Sequence, residues 1–253
     1  MAGRGFPEPR WIRSARVLAD PGNHPPRTRT VPLMRLRTLN HLQDFIDGDL
    51  TWRRREMSTA RFAWQNSKGE KKAYACRVGV CLAYAHWEGF VKTAAMAYLN
   101  FVAHQGLKFR DLTAALIALC LRGRFTQLEA AQRITLHAEV AGFFLSGLDT
   151  DASVPWEQAV SQLSNLDFAT FTDVTTMIGV DPTPYSSRGL QIDGVLVKNR
   201  HLIAHGSRVD VDELTCEELH ELVIELLDRF RTDVENAAST GAHLRLTPQG
   251  QRN

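Results

Sequence analysis

KKAYACRVGVCLAYAHWEGFVKTAAMAYLNFVAH, residues Lys71–His104, carries apolar side chains at Val80, Tyr84, Trp87, Val91, Ala95, Tyr98 and Val102. This is the i, i+4, i+7 spacing that lines up side chains on one face of a helix. Away from that stripe the segment remains rich in Ala, Leu, Phe and Met, as expected of a helix at the centre of a bundle. Upstream, Met34–Gln65 reads as one long helix, or two joined near Gly48, with Leu36, Leu39, Leu42, Phe45 and Ile46 in register. Downstream, Asp111–Arg122 presents Leu112, Leu116 and Leu119, and Gly123 reads as its stop. A Thr126-x-x-Glu129 capping box opens the next helix, to about Leu145. Leu166–Ile178 follows, with Phe168, Phe171, Thr175 and Ile178 on one side, broken by Asp181-Pro182-Thr183-Pro184. Ser187–His205 and Thr215–Ala238 complete the set. The latter is opened by a Thr215-x-x-Glu218 box and striped by Leu219, Leu222, Val223, Leu226, Leu227 and Phe230. No segment has convincing strand periodicity, so the pattern predicts an all-α bundle of six to seven helices in one domain, residues 34–238.

Residues 1–33 hold six of the ten prolines and almost no periodic apolar positions. They read as a flexible basic tail, the alternatives being an RNA-tethering arm or translation starting at Met34. Residues 239–253 read as a second flexible tail. Of 253 residues, 44% are apolar and 23% charged, the balance of an ordinary globular protein. Residues 1–37 contain eight arginines against Glu8 and Asp20, a surplus of six positive charges. The whole chain carries +2, which leaves −4 on residues 38–253, so any nucleic-acid site in the folded part must be local. Cys76, Cys81, Cys120 and Cys216 form no CxxC pair or zinc-ligand spacing, which argues against a disulfide framework. Cys76, Cys81 and Cys120 read as small core residues. No apolar run approaches the ~20 residues of a membrane span, and no secretory h-region follows the N-terminal arginines. A soluble cytoplasmic protein is expected.

No Gly-rich phosphate loop, nucleophile elbow or paired zinc cluster is present. The segment that stands out is Leu196-Val-Lys-Asn-Arg-His-Leu-Ile-Ala-His205-Gly206, in which Arg200 and His205 form an R-x4-H spacing. With 24 Arg and nine His in the chain, composition alone predicts about one such spacing, so its context must carry the argument. Ile192, Val195, Leu196, Leu202 and Ile203 form the apolar face of this helix, with Asn199 among them and Arg200 at its edge. Gly206 suits the C′ position, which puts His205 in the last turn. At 3.6 residues per turn Arg200 and His205 lie about 140° apart, so they meet only through the long Arg stem, a loosened last turn or a second subunit.

Together with Tyr84-Ala-His-Trp-Glu-Gly-Phe-Val-Lys92, this run resembles the HEPN superfamily, in particular the RiboL-PSP-HEPN type of bacterial toxin–antitoxin and phage-defence loci and its relatives. Their shared signature is R-x4-H, often with Asn, Asp or His directly after the Arg; here that residue is His201. The resemblance implies a helical, metal-independent endoribonuclease without cofactor, usually a homodimer whose two motifs share one cleft. By that resemblance Arg200 would hold the scissile phosphate and His205 would transfer protons. An RNA substrate and a cognate antitoxin or regulatory protein are the implied partners. In HEPN toxins silenced by adenylylation a Tyr stands two residues after the motif His. Ser207 occupies that position here, which argues against this control.

Other readings of the same residues stay open. Arg200 and His205 could be a surface Arg and a helix-capping His in a catalytically silent bundle that binds a partner protein or a nucleotide. His201 and His205, at i and i+4, have the spacing of an H-x3-H metal pair, but no further ligand lies nearby in sequence. Glu88 and Arg77 lie on about the same face of the central helix, either as groups that orient Arg200 or His205 or as a structural ion pair. Trp52-Arg53-Arg54-Arg55 reads as an RNA-backbone contact or a solvated basic face. His104 and His137 are isolated and receive no role.

Overall fold

The central stretch forms a helix that is buried on nearly every side. Residues 35–130, 133–160 and 163–246 are described by a computed structural model of the chain. The helices are α1 (Leu39–Gln65), α2 (Glu70–Ala103), α3 (Ala114–Ala130), α4 (Ile134–Gly142), α5 (Trp156–Ala159), α6 (Phe168–Ile178), α7 (Lys198–Ala204) and α8 (Glu213–Ser239). No strand occurs among the described residues, so the fold is all-α. All seven stripe residues of α2 are at most 3% exposed, and Ala94, Leu99 and Phe101 on its other sides are buried too. An all-round apolar helix needs cover on several sides. Here α1 and α8 lie along it, and α5, α6 and α7 pack on the remaining flank.

Helix ends follow local chemistry. Thr38 caps α1, its hydroxyl accepting from the His41 N–H (3.2 Å), and α1 runs unbroken through Gly48. Asp167 caps α6 through the Thr170 N–H, and Gly179, in the left-handed region at φ 74°, closes it. Two expectations need correction. Gly123 does not stop a helix: α3 continues to Ala130, and the Thr126 hydroxyl donates back to the Arg122 carbonyl inside it, so the expected capping box is helix interior. At α8 the cap is Asp212, whose carboxylate accepts from the Thr215 N–H (2.7 Å), three residues ahead of the expected box.

The segment expected as one helix over Ser187–His205 is composite. A 3-10 stretch, Thr183–Arg188, leads through a turn of α-helix, Gly189–Gln191, into a π-helical turn, Ile192–Val197, and then α7. Residues 239–246 are also not a tail. His243 is buried, the Thr113 N–H donates to its carbonyl (3.0 Å), and the Arg245 N–H donates to Asp111 (2.8 Å). The close of α8 is thus pinned beside the start of α3. Residues 1–33 and 247–253 lie outside the described residues. Among the described residues no helix is long and apolar enough to cross a membrane.

Candidate active site

The R-x4-H helix ends as its glycine predicts. Gly206 adopts φ 78°, the Ser207 N–H returns to the Leu202 carbonyl (2.9 Å) and the Gly206 N–H to the Ile203 carbonyl (3.0 Å). These two bonds are the Schellman closure, with His205 as the last residue before it. Arg77 of α2 fastens the closure, its Nη2 donating to the Ser207 carbonyl (3.2 Å). The π turn ahead of α7 has i to i+5 geometry, which changes the helical phase between the buried Ile192 and Leu196 and the half-buried Asn199 and Arg200. Asn199 makes no side-chain hydrogen bond among the described residues.

Arg200 leaves α7 toward α2. Its guanidinium lies over the Tyr84 ring, 3.8 Å from the centroid. Nη2 donates to Asn165 Oδ1 (3.0 Å) and stands 3.5 Å from Glu88 Oε2. Glu88 in turn accepts from Lys92 Nζ at 2.5 Å. Around these groups opens a groove of about 530 Å³ lined by Tyr84, Glu88, Lys92 and Arg200, with Cys81 and Ala204 at its edge. Two cations and one carboxylate therefore share a concave surface of otherwise apolar character.

The protonation states follow from that arrangement. Burial by itself would raise the Glu88 carboxyl, but hydrogen bonds from Lys92 and Tyr84 and the charges of Lys92 and Arg200 outweigh it, so the pKa falls below the ordinary value. Glu88 is an anion at neutral pH. Burial, then the hydrogen bond to Glu88, push the Tyr84 hydroxyl up to about 12, which keeps the ring a neutral platform. Cys81 is also raised by burial, against the opposing charges of Arg200 and Arg77.

His205 is placed differently. It is exposed, and its ring sits beside His201, with centroids 4.3 Å apart. The groove takes in Arg200 and Ala204, whereas the two histidines pair with each other outside it. Within one chain the structure thus joins Arg200 to Glu88, ties Arg77 to the turn after His205, and lines the groove with Arg200 but not with His205. Among the described residues no group of three or more His, Cys, Asp or Glu side chains is arranged to hold a metal ion. The basic run on α1 is divided, with Arg54 and Arg55 exposed and Arg53 buried. Arg53 is 6% exposed with Nε on Asp49 (2.6 Å), Arg54 pairs with Asp228, and the Trp52 ring rests edge-on against the buried His86.

Three groups at Arg200 were not singled out from the sequence. Tyr84 and Lys92 stand four residues to either side of Glu88, so helical spacing alone places them beside it. Asn165 carries no such signal, because its approach depends on the path of the chain before α6.

A family model described as HEPN_MAE_28990-like HEPN matches residues 42–241, most of the chain, from Leu42 in the first turn of α1 to just past the end of α8. The chain belongs to the HEPN superfamily. No curated protein and no solved structure matches it. The HEPN span takes in both runs quoted above, Tyr84–Lys92 and Leu196–Gly206. The matching branch is the MAE_28990-like one, where those runs had suggested the RiboL-PSP type and its relatives.

Proposed function

We propose that this HEPN protein is a metal-independent endoribonuclease of the cytoplasm, the effector of a toxin–antitoxin or antiphage locus, acting as a homodimer and restrained by a cognate antitoxin or regulatory protein. The observation that carries the reading is the separation of roles around α7. A fixed cation, Arg200, sits in an open groove, and an exposed histidine, His205, stands at the helix end, next to solvent. RNA supplies its own nucleophile. The 2′-OH attacks phosphorus, the P–O5′ bond breaks, and the products are a 2′,3′-cyclic phosphate and a 5′-OH. One His205 takes the 2′-OH proton and the His205 of a second copy gives a proton to the departing 5′ oxygen, while Arg200 stabilises the charge gathered on the phosphorane. Two copies related by a two-fold axis bring together the pieces that a single chain holds apart.

A second reading, a catalytically silent bundle that binds a partner, draws on the Glu88 carboxylate 3.5 Å from Arg200, a contact that already satisfies part of its charge. Cleavage assays decide between the two. With purified protein and mixed RNA, fragments should end in 2′,3′-cyclic phosphate, DNA should be inert and EDTA should not inhibit. His205→Ala and Arg200→Ala should each lower the rate by about 10²-fold or more with the thermal midpoint held, and His201→Ala should cost less. Light scattering should report a dimer. Cleavage surviving in His205→Ala, or a fully active monomer, would overturn the proposal.

A further inference from the structure

The chain just before α6 is strapped to the groove by three side chains. Lys92 Nζ donates to the Leu163 carbonyl (2.5 Å), the Leu166 N–H donates to the Tyr84 hydroxyl (2.8 Å), and between them Asn165 Oδ1 accepts from Arg200 Nη2 (3.0 Å). Asn165 has φ 56°, the one positive value for a non-glycine residue among the described residues. Asn tolerates this left-handed conformation better than most side chains, yet it persists only where surrounding contacts impose it. Here they do so on both sides, at Leu163 and Leu166, and the Asp167 N–H returns to the Asn165 carbonyl (2.9 Å). The circuit is closed: Lys92 holds the loop and Glu88, Glu88 faces Arg200, and Arg200 donates to the loop's Asn165.

A neutral acceptor does something that Glu88 cannot. A carboxylate fixes a guanidinium but cancels the charge a phosphate needs, whereas an amide oxygen fixes its direction and leaves the charge intact. Arg200 Nε and Nη1 make no hydrogen bond among the described residues, so they stay available. We propose that Asn165 is the positioning residue for Arg200, its amide oxygen holding the guanidinium against Tyr84 so that the remaining N–H groups are preset for an RNA phosphate. This rests on the reading of Arg200 as the phosphate-binding cation.

The test uses the full chain, with Asn165→Gly to remove the amide while suiting the positive φ, and Asn165→Asp to keep an acceptor there. One readout is independent of cleavage: the rate at which phenylglyoxal modifies Arg200, followed by peptide mass spectrometry. Loss of a hydrogen bond to a charged group should speed that modification and lower kcat by roughly tenfold each in Asn165→Gly, with KM and the thermal midpoint near wild type. Asn165→Asp should restore the protection from modification but not kcat, because its carboxylate fixes the guanidinium while cancelling its charge. Wild-type modification and kcat in Asn165→Gly, or an Asp variant no better protected than the Gly one, would overturn the assignment. If the wild type cleaves no RNA, the proposed function fails, while the modification rates still decide whether Asn165 holds Arg200.

Discussion

Arg200 rests on Tyr84, its guanidinium carbon 3.8 Å from the ring centroid, and the same tyrosine takes the Leu166 N–H at 2.8 Å. One buried side chain on α2 thus supports both the cation and the loop that reaches it. Tyr84→Phe keeps the ring but strands a buried N–H, which should cost about 1–3 kcal/mol in urea unfolding while leaving Arg200 in place. Tyr84→Ala removes the platform as well and should cost more, about 3–5 kcal/mol, by analogy with other large aromatic truncations. Equal losses in the two variants would show that the ring adds nothing beyond its hydroxyl.

Glycine substitutions on α1 and α2 should act in opposite directions. A Cβ on Gly79 of α2 would stand 2.7 Å from Trp64 Cζ3 and 3.1 Å from Cys216 Sγ, both on buried residues. The α1, α2 and α8 backbones meet closely there, and Gly79→Ala should lower stability by about 1–3 kcal/mol through overpacking. Gly48, exposed in the interior of α1, would meet nothing within 4 Å. Gly48→Ala should therefore raise stability by about 0.5–1 kcal/mol, as expected of Gly→Ala inside a helix. Thermal melts of both variants test the pair.

The long helices were legible because their burial is periodic. Every stripe residue of α2 and the apolar face of α8 emerged from spacing alone, since a helix flanked by two others must be apolar where they touch it. Punctuation was less reliable. Gly123 looked like a stop, but nothing crowds it, and a helical glycine costs only about 1 kcal/mol, which the half-buried Phe125 and Leu128 in the turns beyond it offset. A Thr-x-x-Glu box marks a helix start only if the Thr stands outside the helix, and at α8 the nearer carboxylate of Asp212 took that place. The π turn at Ile192–Val197 has no residue signature, so the phase of α7 could not be read. At the site, Arg200, His205 and Glu88 were visible as charged or titratable residues in apolar runs. Asn165 was not, because its role comes from three tertiary ties to a loop.

Acid should weaken the fold as soon as the pH falls below the ordinary histidine range. His86 and His220 are 2% and 6% exposed, and burial, then a neighbouring arginine, Arg53 for His86 and Arg61 for His220, lowers each pKa from 6.5. In the folded protein they resist protonation while in the unfolded chain they accept it. Their contribution is intact above 6.5 and is lost as the pH falls from 6.5 toward the lowered folded values. The thermal midpoint should therefore drop between about pH 6.5 and 5, and the His86→Gln/His220→Gln protein should show a flatter profile there. An unchanged slope in that double variant would assign the acid sensitivity to other groups.

Glu88 separates charge from geometry at Arg200. Its depressed pKa means that its pairing stabilises the fold above the ordinary value of 4.5 and is lost as pH falls through the folded value, a window below that of the histidines. Glu88→Gln leaves Lys92 and Arg200 facing each other in the groove without an anion, so the fold should lose about 1–3 kcal/mol at neutral pH and part of its sensitivity below pH 4.5. The groove gains one positive charge by the same change. If RNA phosphate enters there, affinity should rise, and the slope of log K against log salt should steepen by about one phosphate contact, roughly 0.7 for a single strand. If Glu88 also directs the guanidinium, kcat should fall while affinity rises, a split that simple charge removal would not produce. Binding to a fluorescent single-stranded RNA across a salt series reads both effects. Weaker binding with an unchanged slope would mean that the phosphate does not enter this groove.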